Sequence, residues 1–194
     1  MKQEKLAEME HIIATDYNNI AGMVVLKDGQ TVYEKYFGDC TEASRIHIFS
    51  VTKSVVSILF GIALDKGCIG SINQKVLDFY PEYQVKRGEK TIQQISVRDM
   101  LAMTAPYKYR SNPYTKYFTS ADWVKFSLDV LGGKGNIGDF RYAPIVGPDI
   151  LSGILVKATG QSVFDFAREN LFAPLGITVE RSIRFHSKEE QMAS

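Results

Sequence analysis

Residues 48–67 read Ile-Phe-Ser-Val-Thr-Lys-Ser-Val-Val-Ser-Ile-Leu-Phe-Gly-Ile-Ala-Leu-Asp-Lys-Gly and form the most informative segment of the chain. From residue 51 to residue 66, apolar side chains occur on nearly all sides of a predicted helix that ends at Gly67. A helix that is apolar all round belongs in the middle of a hydrophobic core. We therefore expect residues 51–66 to form the central helix.

The chain before this helix predicts one further helix and one hairpin. Residues 2–17 place aliphatic side chains on one face and Lys and Glu on the other, which is typical of an amphipathic helix. Residues 20–38 contain two runs rich in β-branched and aromatic residues, separated by Asp28-Gly29. An Asp-Gly pair between such runs is a strong signal for a two-residue hairpin turn.

Capping residues and helix breakers divide the rest of the chain into short helices. Four helices are predicted. The first starts at the Ser96–Asp99 capping box and ends near Met103, and the second starts at Thr119–Asp122 and stops at Gly132-Gly133. The third runs from Pro148 to about Ala158, with Gly160 behind it, and the fourth starts at Ser162–Asp165 and ends near Pro174.

Strands are scarce in this pattern. A lone hairpin is marginally stable in water and needs further strands beside it. Thr178 to Phe185 predicts one short strand, and the polar residues His186 to Ser194 follow it. We expect a single α/β (α+β) domain over residues 1–194, with an antiparallel sheet flanked by helices and without its C-terminal strands.

Composition indicates a folded chain with little net charge. The 194 residues include 23 Lys+Arg and 22 Asp+Glu, which gives a net charge of +1. This balance argues against nucleic acid or an anionic membrane as partner. The charged N-terminus lacks a secretory signal, and the apolar run Val55 to Leu64 is too short to span a membrane. We expect a cytoplasmic protein with no transmembrane segment, and an extracytoplasmic location stays open.

Cofactor and metal sites find little support in the sequence. The two cysteines, Cys40 and Cys68, and the three histidines lack metal-ligand spacing, so no metal or cofactor is expected. Residues 133–138 match G-x-G-x-x-G, but a predicted helix precedes them, so we expect a plain loop and not a dinucleotide site. Residues 107–114 mix aromatic and basic side chains and predict a surface loop, with a substrate-cleft wall as the alternative.

Ser50 and Lys53 are the sharpest candidates for chemistry. Residues three apart share a helix face, so the Lys53 amine can reach the Ser50 hydroxyl. The helix N-terminus favours developing negative charge, and burial in an apolar helix would make the lysine a usable base. A capping serine beside a surface lysine is the alternative, since chance alone gives about one Ser-x-x-Lys among 14 serines and 15 lysines.

The segment 48–67 resembles the active-site helix of the serine β-lactamase and penicillin-binding-protein superfamily, and is most similar to its class C-like branch. Further segments match in the family's order: Val76 to Tyr83, Ile95 to Thr104, Thr159 to Phe166 and Asn170 to Ile177. This resemblance covers roughly residues 20–177. It implies a β-lactamase/DD-peptidase-like fold and an acyl-enzyme on Ser50, with Lys53 in proton transfer.

The same resemblance implies a role for Tyr142. Residues 140–144, Phe-Arg-Tyr-Ala-Pro, are similar to the family's Tyr-x-Asn loop, with Pro144 where the family has Asn. Tyr142 would relay a proton between the nucleophile and the leaving group. A tyrosine that only packs at an edge is the alternative.

The family's third motif, a His/Lys-Thr/Ser-Gly triplet, does not occur in this sequence. Two functions therefore stay open. The first is a serine hydrolase that acts on a small-molecule or peptide substrate with an ester, amide or β-lactam carbonyl. The second is an inactive, truncated homologue that binds a ligand or is completed by a partner polypeptide, through pairing at an exposed sheet edge.

Overall fold

Seven α-helices and one antiparallel sheet make up the described part of the chain, residues 3–179 of a computed structural model. In chain order these are α1 (Gln3–Asp16), β1 (Gly22–Lys27), β2 (Gln30–Tyr36), α2 (Thr52–Asp65), α3 (Val97–Leu101), α4 (Tyr114–Phe118), α5 (Trp123–Val130), α6 (Val146–Thr159) and α7 (Val163–Ala167). The chain divides into two compact units, one up to Ile48 and one from Phe49 onward. The expected mixed class with an antiparallel sheet is confirmed.

The first unit contains α1 and the predicted hairpin. Strands β1 and β2 pair antiparallel, and Lys27 faces Gln30 across the two-residue turn. Both turn residues, Asp28 and Gly29, have positive φ, at 51° and 77°. This is the combination that the Asp-Gly signal predicts, since such a turn matches the twist of the two strands. Within residues 3–179 the sheet has these two strands.

The second unit has its hydrophobic core between α2 and α6. Buried Leu59 and Phe60 from α2 pack with buried Ile150 and Ile154 from α6 in one apolar cluster. Side chains four apart on a helix share a face, so each helix presents one continuous apolar stripe to the other.

The prediction that α2 is buried on nearly all sides is wrong for one side. Ile58 is 50% exposed, and Thr52, Ser54, Ser57 and Gly61 are exposed on the same helix. Apart from Ile58, these positions carry hydroxyl side chains or glycine, which lose little by contact with water.

Most capping predictions hold in the second unit. Ser96 Oγ accepts a hydrogen bond from Asp99 N at 3.2 Å, and Asp99 accepts from Ser96 N at 2.8 Å, which completes the capping box of α3. Ser162 caps α7 through Asp165 N at 3.0 Å. Gly160 ends α6 with φ 70°, a left-handed conformation that glycine adopts without steric cost.

Other predicted boundaries are wrong. The cap of α5 is Asp122, whose side chain accepts from Lys125 N, and not Thr119. Helix α6 begins at Val146, so Pro148 is its third residue and not its first. Helix α4 starts at Tyr114, inside the stretch predicted as a surface loop. Residues 178 and 179 are not in a strand, and the rest of the predicted strand 178–185 lies outside the described residues.

A carboxylate clamp joins the segment before α3 to the loop after α5. One oxygen of Glu89 accepts hydrogen bonds from Thr91 N, Ile92 N and Gly133 N, at 2.9, 3.1 and 3.3 Å. Gly132 has φ 89°, and a Cβ there would lie 2.8 Å from the same oxygen and 3.1 Å from Ile92 N. A side chain at residue 132 would therefore displace the clamp, which explains the glycine.

Candidate functional site

Ser50 lies ahead of α2, in a single helical turn over Phe49–Val51. The preceding residue, Phe49, has φ 45°, which is a strained left-handed conformation for a side chain of this size. Ser50 is exposed, so its hydroxyl is accessible from solvent.

Lys53 is in the first turn of α2, one turn beyond Ser50. Its amine donates a hydrogen bond to Ser50 Oγ at 3.0 Å, as the spacing of three residues allows. The side chain is partly buried. The cap of α2 itself shows no side-chain hydrogen bond at Val51, so Ser50 does not serve as the capping residue of this helix.

Tyr142 reaches the same hydroxyl from the segment before α6. Its Oη lies 2.8 Å from Ser50 Oγ, and Lys53 Nζ lies 5.6 Å from the centre of its ring. The pKa of the Tyr142 phenol is lowered, chiefly because the Ser50 hydroxyl can donate to the phenolate and further because the Lys53 charge stabilises it. Loss of hydration opposes this shift without cancelling it.

The structure thus brings all three predicted site residues together. The Ser50 hydroxyl has an amine on one side and a phenol on the other, both at hydrogen-bond distance. Either neighbour could take the hydroxyl proton when it is itself deprotonated, as a neutral amine or a phenolate, and a base so placed is what activates a serine nucleophile. The catalytic roles of these residues stay predictions.

Apolar side chains lie near the three polar groups in sequence and beside Lys53 in space. Phe49 is 75% exposed and Phe140 is 74% exposed. A small cavity of about 40 Å³ opens beside Lys53 and is lined by Met100, Met103 and Tyr107, among others.

Two residues with a bearing on this site carried no signal in the sequence. The strain at Phe49 follows from its φ alone, and the sequence pattern gives no reason to expect it. Arg141 is next to Tyr142 and belongs to no sequence motif, yet its guanidinium donates to the carbonyls of Tyr107 and Tyr109. These contacts cross more than 30 positions of the chain, which local periodicity does not encode.

The alternative site types find no further support. Residues 133–138 form an irregular loop followed by Asp139 and Phe140, and no helix begins directly after them. Within residues 3–179, no three His, Cys, Asp or Glu side chains are grouped so that they could hold a metal ion. No helix among these residues is long and apolar enough to cross a membrane.

The sequence and the fold of this chain are similar to those of known proteins. A family model described as Beta-lactamase matches residues 10–184. The fold is similar to that of the "putative beta-lactamase" of Bacteroides dorei DSM 17855, with a TM-score of 0.71 and 22% identity over 89% of this chain and 52% of that chain.

Two further solved structures share the fold. The "putative 6-aminohexanoate-dimer hydrolase" of Bacillus anthracis has a TM-score of 0.65 and 16% identity over 84% of this chain and 46% of that one. A penicillin-binding-protein homologue from Caulobacter crescentus has a TM-score of 0.54 and 21% identity over 74% of this chain and 38% of that one. The chain spans about half the length of the first two structures, or less.

Proposed function

Because this chain belongs to the beta-lactamase family, we propose that it is a serine hydrolase that cleaves an ester, amide or β-lactam through an acyl-enzyme on Ser50. One observation carries the proposal. Ser50 Oγ lies 3.0 Å from Lys53 Nζ and 2.8 Å from Tyr142 Oη, so two groups that can act as a base when deprotonated lie within reach of the hydroxyl.

In the proposed acylation step, one member of the Lys53–Tyr142 pair is deprotonated, and it takes the proton of Ser50 Oγ as this oxygen forms a bond to the substrate carbonyl carbon. The carbonyl π electrons move to the oxygen, and the Ser50 backbone N–H is the nearest candidate to stabilise this oxyanion at the start of the helix. The bond to the leaving group then breaks, and the leaving group takes the proton back from the pair. The lowered pKa of Tyr142 supports its part in this exchange.

In the proposed deacylation step, water attacks the acyl carbon and gives one proton to the same pair. The carbon–Oγ bond breaks, and Ser50 recovers its proton as the acid leaves. The pair thus ends each turnover in the protonation state in which it began.

The residues around Ser50 favour an ester over an amide. Pro144 stands where the family pattern has Asn, so no side-chain amide at this position can hydrogen-bond a substrate amide group. The exposed rings of Phe49 and Phe140 offer apolar contact instead. An ester of an apolar acid fits this combination best.

Intact mass spectrometry tests the proposal directly. The chain is incubated with a fluorophosphonate probe and, separately, with a penicillin, and Ser50→Ala serves as the matched control. We expect a single adduct on the natural chain and none on Ser50→Ala. An adduct that persists on Ser50→Ala would place the nucleophile elsewhere, and no adduct on a chain with cooperative unfolding would reject the hydrolase.

A second candidate is a chain that a partner polypeptide completes, and the hairpin supports it. Val24, Leu26 and Val32 are each at least half exposed, and a two-stranded sheet alone is marginal in water. Hydrogen exchange measures this directly. Fast exchange throughout β1 and β2, together with no adduct on Ser50, would favour this candidate over the hydrolase.

A further inference from the structure

The segment that carries Tyr142 has little regular structure to hold it in place. Residues 139–145 lie outside helices and strands, between a loop and the start of α6. Phe140 is 74% exposed and Tyr142 is 49% exposed, so the packing of these two rings gives the segment limited support. The phenol must nevertheless stay within hydrogen-bond distance of Ser50, at 2.8 Å.

Arg141, between these two rings, ties the segment to residues 103–109 by hydrogen bonds, and Ala143 beyond Tyr142 is buried in the core. Its backbone N–H donates to Met103 O at 2.7 Å. Its guanidinium donates through Nη1 to Tyr107 O at 2.9 Å and through Nη2 to Tyr109 O. The guanidinium also lies 4.8 Å from the centre of the Tyr109 ring, at cation–π distance.

The acceptors of Arg141 belong to a well-anchored strip of backbone. Tyr107 is buried and forms an isolated β-bridge with Leu131. On either side of it, Lys108 N donates to Val130 O and Gly132 N donates to Pro106 O, both at 2.8 Å. A residue that hydrogen-bonds to this strip is therefore held in a fixed position.

We propose that Arg141 is a positioning residue that holds the phenol of Tyr142 against the Ser50 hydroxyl. The inference rests on the proposed role of Tyr142. Arg141 acts through placement and not through its charge, since its guanidinium faces the carbonyls of Tyr107 and Tyr109. A planar fork with several donors suits two carbonyls at once, whereas the single ammonium of a lysine does not.

The first test is a double-mutant cycle between Arg141 and Tyr142. The measured quantity is the second-order rate constant for Ser50 labelling by a fluorophosphonate, with the thermal midpoint of each variant recorded alongside. We expect Arg141→Gln to slow labelling by roughly tenfold to a hundredfold, because small misplacements of a catalytic group have effects of this size. Arg141→Lys should fall between, and the control Arg110→Gln, at an exposed arginine nearby, should match the natural chain.

The cycle separates positioning from a general structural role. If Arg141 acts through the phenol, Arg141→Gln causes no further slowing in a chain that already carries Tyr142→Phe. An equal slowing with and without the phenol would overturn the proposal. Should Arg141→Gln fail to fold, Arg141→Lys, which keeps the stem and one donor group, carries the same comparison.

A second measurement is independent of activity. The chain is labelled with 3-fluorotyrosine, the Tyr142 resonance is identified by its loss in Tyr142→Phe, and its ¹⁹F shift is titrated with pH. Ser50 and Lys53 lower the pKa of this phenol, so Arg141→Gln should move the titration back toward the ordinary value of about 10. If Ser50 of the natural chain is not labelled at all, the proposed hydrolase fails, and this titration still decides the role of Arg141. An unchanged titration in folded Arg141→Gln would overturn it.

Discussion

Replacing Phe49 by alanine and, in a second variant, by glycine measures the strain in the backbone immediately before Ser50. Phe49 has φ 45°, where contact between Cβ and the following carbonyl costs roughly 1–2 kcal/mol. Glycine avoids this contact but loses roughly 0.5–1 kcal/mol through its greater freedom in the unfolded chain. Both variants lack the ring, so its contacts cancel. We expect the glycine variant to be more stable than the alanine variant by roughly 0.5–1 kcal/mol.

Gly61 provides a control of opposite sign on the same helix. It lies in the middle of α2, and a Cβ there would have no neighbour within 4 Å. Gly61→Ala should therefore stabilise the chain by about 1 kcal/mol through helix propensity. Urea unfolding gives all these values from the shift in midpoint at constant slope. If Phe49→Ala is as stable as Phe49→Gly while Gly61→Ala behaves as expected, the strain at Phe49 is refuted.

Three further predictions concern stability. Glu89→Ala should lower the free energy of unfolding by about 1.5–3 kcal/mol at pH 7, since three N–H groups lose a charged acceptor. Because the folded pKa of Glu89 is lowered, this difference should shrink in urea titrations as the pH falls below about 4.5. Leu59→Ala, at a side chain that is 1% exposed, should lower the free energy of unfolding by about 2–5 kcal/mol. Ile58→Ala, at a side chain that is 50% exposed, should lower it by less than about 1 kcal/mol. A reversed order in thermal or urea unfolding would contradict the packing of α2. The Tyr83 phenol is partly buried and donates to Asp129 at 3.0 Å, which raises its pKa. The Tyr83 hydroxyl therefore stabilises the folded chain fully below pH 10, and this contribution declines at higher pH because the unfolded chain ionises first. Tyr83→Phe should thus reduce the fall in thermal midpoint between pH 9 and pH 11.

Local chemistry made part of this fold predictable. The Ser96–Asp99 capping box, the Asp28-Gly29 turn and the left-handed end at Gly160 each involve contacts within four residues. Such contacts depend on residue type and spacing, both of which the sequence displays.

The same kind of signal failed where two local solutions compete. Thr119 is three residues before Asp122, and both side chains can cap a helix. In the structure the Thr119 hydroxyl instead donates back to Thr115 O at 2.9 Å and ends α4, which leaves the cap of α5 to Asp122. Helix α4 has only five residues, and its ring Tyr117 stacks on Trp123 at 5.0 Å. A helix this short depends on tertiary packing, which no periodicity in the sequence announces.

The candidate site divides in the same way. Contact between Lys53 and Ser50 follows from helical spacing. Contact between Tyr142 and Ser50 joins positions 92 residues apart and came from the family resemblance, not from spacing. The anchoring of Arg141 and the conformation of Phe49 came from neither, because they depend on how distant backbone segments meet.

The register of the hairpin has a consequence for contacts between copies of this chain. Val25 pairs with Tyr33 and Leu26 pairs with Thr31, so Val32 is an extra residue without a partner opposite. An extra residue of this kind bends its strand and interrupts the even spacing of its N–H and carbonyl groups. A second chain that tried to extend the sheet along β2 would lose its hydrogen-bond ladder at Val32, and Glu34 beyond it would add a charge. The bulge therefore disfavours edge-to-edge pairing along β2, whereas the β1 edge keeps its regular spacing.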